Sequence, residues 1–115
     1  MLRRLALLLL LLAPVPVLAD SFVPGTEDVP LMPGLTPVAN SSLTFDKPQG
    51  RIVEAQASGR LNRAAVQRFY AATLPQLGWK PAGADAWRRE GERLRLDFHG
   101  PDGALTVGFT LSPGQ

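Results

Sequence analysis

Asn62-Arg-Ala-Ala-Val-Gln-Arg-Phe-Tyr-Ala-Ala-Thr-Leu-Pro-Gln-Leu-Gly-Trp79 reads as the one well-formed helix of the chain, and its faces decide the fold. Asn62 is a good N-cap, and Leu61 before it stands where it can staple to Val66. Val66, Phe69, Tyr70, Thr73, Leu74 and Leu77 recur at spacings of three and four, while Ala64, Arg68, Ala71 and Pro75 take the opposite side. One apolar stripe predicts a helix that covers a sheet on one side only. Phe69, Tyr70, Leu74 and Leu77 are therefore expected in the core. Pro75 is expected to kink the last turn, Gly78 to stop it in a left-handed conformation, and Trp79 to enter the core or its rim.

Outward from this helix the period changes to two. On its N-terminal side Leu43 to Asp46 alternates, Lys47-Pro48-Gln49-Gly50 has turn chemistry, and Arg51 to Ala57 returns with Val53, Ala55 and Ala57 on one face. On its C-terminal side Trp79 to Pro81 is a brief strand, and Ala86 to Arg89 alternates around an inward Trp87. Arg93 to Phe98 points Leu94, Leu96 and Phe98 inward. Ala104 to Leu111 does the same with Leu105, Val107, Phe109 and Leu111. The expected fold is α+β: one helix packed on a single antiparallel β-sheet in β-β-α-β-β-β-β order. Arg93, Arg95, Asp97, Thr106 and Thr110 fall on the face away from the helix.

Two segments precede that domain, which is expected to span residues 43–115. Met1 to Arg4 is a basic start, Leu5 to Ala13 an apolar run, and Val17-Leu18-Ala19 a small-residue cleavage signature, so residues 1–19 read as a signal peptide cut after Ala19. The apolar run is broken by Pro14 and Pro16 and is shorter than a membrane span needs, so no stable span is expected after cleavage. The expected location is periplasmic or secreted. Residues 20–42 form an arm with Pro24, Pro30, Pro33 and Pro37 and no period. Its apolar Val29, Leu31, Met32 and Leu35 exceed what a solvated linker requires. Two readings stand open: a floppy arm, or one that packs on the domain or on a partner.

Composition excludes more than it points to. The 12 basic and 10 acidic residues become 10 and 10 once Arg3 and Arg4 leave with the signal peptide, so the expected mature chain is formally neutral. Neither nucleic acid nor an anionic membrane is expected as a partner, because the basic surplus belongs to the targeting signal and the arginines from Arg88 to Arg95 are interrupted by acids and read as a solvated sheet face. No cysteine is present, which removes disulfides, thiolate catalysis and cysteine-ligated metals. The one histidine, His99, lies beyond the Arg93 to Phe98 strand at the start of a loop. With Asp97 and Asp102 it makes at best a poor metal set, and no serine stands in a nucleophile context. No glycine-rich phosphate loop is present, and no cofactor is expected.

The segments Phe45 to Ala55 and Phe69 to Trp79, with its Phe-Tyr, Leu-Pro and Gly-Trp pairs, resemble small exported proteins of proteobacteria for which no catalytic residues are established. The arm from Asp28 to Leu35 is similar to their N-terminal region. The resemblance implies an exported helix-and-sheet module and supplies no active-site residues. The expected role is a non-catalytic module that binds a protein or envelope component, with Val29, Leu31, Met32, Leu35, Arg93 and Arg95 as candidate contacts. The alternative is a small hydrolytic or metal-dependent enzyme centred on His99.

Overall fold

The computed structural model describes residues 21–114; the expected signal peptide and its cleavage site lie outside the described residues. Seven strands and one helix follow in order: β1 (Thr36–Pro37), β2 (Leu43–Lys47), β3 (Gly50–Gly59), α1 (Arg63–Thr73) continued by a 3-10 turn (Leu74–Leu77), β4 (Lys80–Pro81), β5 (Ala86–Arg89), β6 (Glu92–His99) and β7 (Leu105–Pro113). All pair antiparallel in one sheet of order β1-β3-β7-β6-β5-β4, with β2 on the other half of the β3 edge that β1 occupies. The architecture is α+β, a helix on a single antiparallel sheet, with one short strand from the arm added ahead of the expected order. No helix among the described residues is long and apolar enough to cross a membrane.

Period-two alternation sorts each strand as read. Val53, Ala55 and Ala57 of β3, Trp87 of β5, Leu94 and Leu96 of β6, and Leu105, Val107, Phe109 and Leu111 of β7 are buried on one inner face. The helix lies on that face with Val66, Tyr70 and Leu74 buried, and Phe69 packs half-buried against Tyr70, edge to face at 4.9 Å. Asn62 caps it by accepting from the Ala65 N–H at 2.8 Å.

The single helix expected from Asn62 to Trp79 is two elements. The α-helix ends at Thr73, and Pro75 sits in the first turn of the 3-10 segment that continues it, a position that tolerates a missing N–H. Gly78 closes the turn at φ +93°, and Trp79 is fully buried behind it. The change of winding takes Leu77 out of the apolar stripe. It is 43% exposed, a correction to its expected place in the core.

The arm follows the packed one of the two readings open for it. Val23, Val29 and Leu35 belong to the same core as the helix and sheet, with Leu31 and Met32 packed against it, so the expected division at residue 43 does not separate two packing units. Phe22 and Pro30 bridge to close a compact loop. The buried Tyr70 hydroxyl donates to the Pro30 carbonyl at 2.7 Å and accepts from the Met32 N–H at 3.1 Å. Further along, the arm carbonyl of Gly34 lies so close to Gly59 of β3 that a Cβ there would collide with it. The arm and α1 together cover the inner face.

Candidate binding face

With the inner face filled by helix and arm, the outer face is the largest open surface of the sheet. Its residues are fixed by pairing. Lys80 on β4 stands opposite Arg88 on β5, Arg88 opposite Arg93 on β6, and Arg93 opposite Ser112 on β7. One row further along the strands come Arg95, Thr110, Glu54 and Leu43, then Asp97, Gly108 and Gln56, then His99, Thr106 and Ser58. Phe45 lies opposite Ile52 on the same side. The face therefore runs from a cationic quarter at β4 to β6 toward an apolar corner at β2.

The cationic quarter is unusual in its spacing. Like charges directly opposite one another on adjacent strands destabilise a sheet, yet Lys80, Arg88 and Arg93 form an unbroken row across three strands, with Arg95 adjacent. None of the four makes an ion pair with a carboxylate among the described residues. Beside the row a cleft of about 550 Å³ opens between the 3-10 turn and β5, lined by Leu77, Lys80, Pro81, Arg88, Arg89 and Glu90 among others.

The centre of the face carries a polar dent of about 400 Å³ over Gly108. Gly108 leaves room there for the Asp97 carboxylate, which a Cβ would meet at 2.5 Å and displace. The rim is formed by Ser41, Glu54, Gln56, Asp97, His99 and Thr110. His99 Nε2 is hydrogen-bonded to Asp97 Oδ1 at 2.7 Å, and both side chains are open to solvent. Ser41 Oγ donates to the Val38 carbonyl at 2.8 Å and accepts from the Gln56 N–H at 3.1 Å, so its hydroxyl is committed to the backbone. Asp102, the other expected ligand, instead accepts from the Arg63 N–H at the start of α1. Among the described residues no group of three metal-binding side chains comes together.

Of the sequence-predicted contacts, Arg93 and Arg95 stand on this face, Arg95 exposed and Arg93 half-buried. The arm candidates do not. Val29 and Leu35 are buried in the chain's own core, and Leu31 and Met32 are half-buried beside it, because the arm's apolar side chains have the inner sheet face to pack on. Lys80 and Arg88 were missed as contacts. Their alternation was legible, but their alignment depends on the β4–β5–β6 register, which composition does not encode.

A second charged cluster, on the inner face, is structural. Asp28 of the arm pairs with Arg89 and, at 3.9 Å, with Arg51; Arg51 Nε in turn donates to Glu92 at 3.2 Å. Arg51's pKa is raised, first by that hydrogen bond and then by the charges of Glu92, Asp28 and Glu27, against the opposing effect of burial. The Arg89 guanidinium lies 4.7 Å over the Trp79 ring, and its Nη1 donates to the Leu77 carbonyl. Arm, hairpin and 3-10 turn are thereby tied together.

Comparison with protein-family models, with curated proteins and with solved structures gives no match.

Proposed function

We propose that the chain is an exported, non-catalytic module that binds an anionic component of the cell envelope through the outer face of its sheet. The observation that carries this reading is the Lys80–Arg88–Arg93 row, three like charges held opposite one another without carboxylate partners among the described residues. A row of that kind costs stability in the free protein and gains from an anionic ligand laid across it. The targeting signature of residues 1–19 supports the location, and a polar dent without a nucleophile or a third metal ligand supports binding over catalysis.

The test is binding of the purified protein to vesicles of phosphatidylethanolamine with and without phosphatidylglycerol. Binding is expected only with the anionic lipid, and it should weaken as salt rises. A surface cation near an anionic leaflet contributes about 1 kcal/mol, so Arg88→Ser with Arg93→Ser is expected to weaken binding roughly thirtyfold. Both side chains point away from the inner face and repel one another, so the double variant should unfold at or slightly above the native temperature. Equal binding to neutral vesicles, or binding unaffected by the double variant, would overturn the reading.

A further inference from the structure

The sheet's edges are not alike. β4 and β1 are each two residues long and each contains a proline, Pro81 and Pro37, both devices that keep a foreign strand from adding on. β2 has neither device. Its five residues Leu43–Lys47 contain no proline, are all exposed, and pair only with β3 among the described residues. Alternation along an antiparallel ladder leaves every second residue of such a strand with its N–H and C=O pointing away from the sheet. Leu43 and Phe45, 52% and 47% exposed, stand on the outer face of this same strand. An open edge and an apolar corner coincide on one five-residue element.

We infer that β2 pairs antiparallel with β2 of a second copy of this chain, in a register centred on Phe45. The strand's own sequence, Leu-Thr-Phe-Asp-Lys, selects the occupant. Two sheets joined across a two-fold axis normal to them keep their faces in common, so residues opposite one another share a face and the axis passes midway between the two copies of one residue. A centre at Asp46 would set two carboxylates against each other. A centre at Thr44 would leave Asp46 and Lys47 opposite Ser42 and Ser41, outside the strand. Centring on Phe45 pairs all five residues. The two phenyl rings meet at the axis, each Thr44 hydroxyl stands ready to donate to the opposite Asp46 carboxylate, and each Leu43 packs on the aliphatic stem of the opposite Lys47. Aromatic and polar pairs of this kind each contribute about 0.2–1 kcal/mol, which describes a weak, concentration-dependent dimer.

The absence of cysteine makes a site-specific test clean. In the Phe45-centred register position 44 faces position 46 of the second copy, while 44 and 44 are separated by more than the roughly 7 Å that a disulfide spans. An oxidised mixture of Thr44→Cys and Asp46→Cys full-length protein is expected to give crosslinked heterodimers, with only background crosslinking of either variant alone. In sedimentation velocity Phe45→Lys, a change at an exposed position, is expected to raise the dissociation constant at least tenfold with the melting temperature unchanged. Crosslinking of Thr44→Cys alone as strong as that of the mixture would overturn the register. Monomers at every concentration up to several hundred micromolar, with no crosslinks in the mixture, would overturn the pairing itself.

Discussion

Tyr70 shows how one side chain joins three parts of the molecule. Its ring packs edge to face on Phe69 and on Phe109 of β7, and its hydroxyl holds the arm at Pro30 and Met32. Burial pushes its pKa well above the ordinary tyrosine value, with the Met32 N–H opposing that shift. Above pH ~10 the unfolded chain releases this proton while the native protein keeps it, so stability is complete below that pH and falls at up to about 1.4 kcal/mol per pH unit above it. The chain has a single tyrosine, so tyrosinate absorbance reports this group alone. The native protein is expected to show no tyrosinate until it unfolds. Tyr70→Phe should cost about 1–3 kcal/mol at neutral pH, because two arm backbone groups lose their partner, and should flatten the alkaline decline seen by denaturant titration. At Gly59 the constraint is space: Gly59→Ala drives a methyl group into the Gly34 carbonyl and is expected to lower the melting temperature well beyond a typical surface change, as read by calorimetry.

Among elements, the arm carries the main lesson about what a sequence discloses. The faces of β3, β6 and β7 were legible because strict alternation leaves a strand beside an apolar helix one way to turn. The helix start at Asn62 was legible from its cap. The arm was not, because Val23, Val29 and Leu35 follow no period and are placed by Tyr70 and by the close approach at Gly59, both distant in sequence. The end of the helix was half legible. Pro75 and Gly78 announced a stop, but not that the last turn tightens to a 3-10 turn and leaves Leu77 exposed. The candidate face divides in the same manner: Arg93 and Arg95 follow from alternation, whereas Lys80 and Arg88 join them only through register. Removal of residues 21–35 now has a definite expected result. Three buried side chains at about 1.5–3 kcal/mol each approach the whole stability of a small domain. The melting temperature should fall by roughly 20 °C or more. A truncated chain that melts at the native temperature would make the arm dispensable for folding.

For the molecule as a whole, the pairing of arginines with acids divides by side, since the outer-face acids Glu54 and Asp97 lie outside the Lys80–Arg88–Arg93 row. The acids Asp28 and Glu92 are spent on the inner face in holding Arg51 and Arg89, while Lys80, Arg88, Arg93 and Arg95 are left without such partners on the outer one. Net charge near neutrality thus conceals a polarised surface, and it explains why composition gave no hint of an anionic ligand. Affinity for phosphatidylglycerol vesicles is expected to drop several-fold between 50 and 300 mM salt, measured by cosedimentation, as the Debye length shortens from about 14 Å to about 6 Å.

The central pairing of β3 with β7 has a consequence for the order of events in folding. Val53 meets Leu111 and Gly59 meets Leu105, so the middle of the sheet is assembled from strands at opposite ends of the domain. During synthesis the β2–β3 hairpin must wait, one edge open, until the last strand is made, and the helix and arm have no finished platform before then. Such long-range closure places the molecule among slow-folding topologies. A chain halted before Leu105 is expected to stay protease-sensitive along its whole length, and addition of the final nine-residue strand should protect the arm and the helix in a single step.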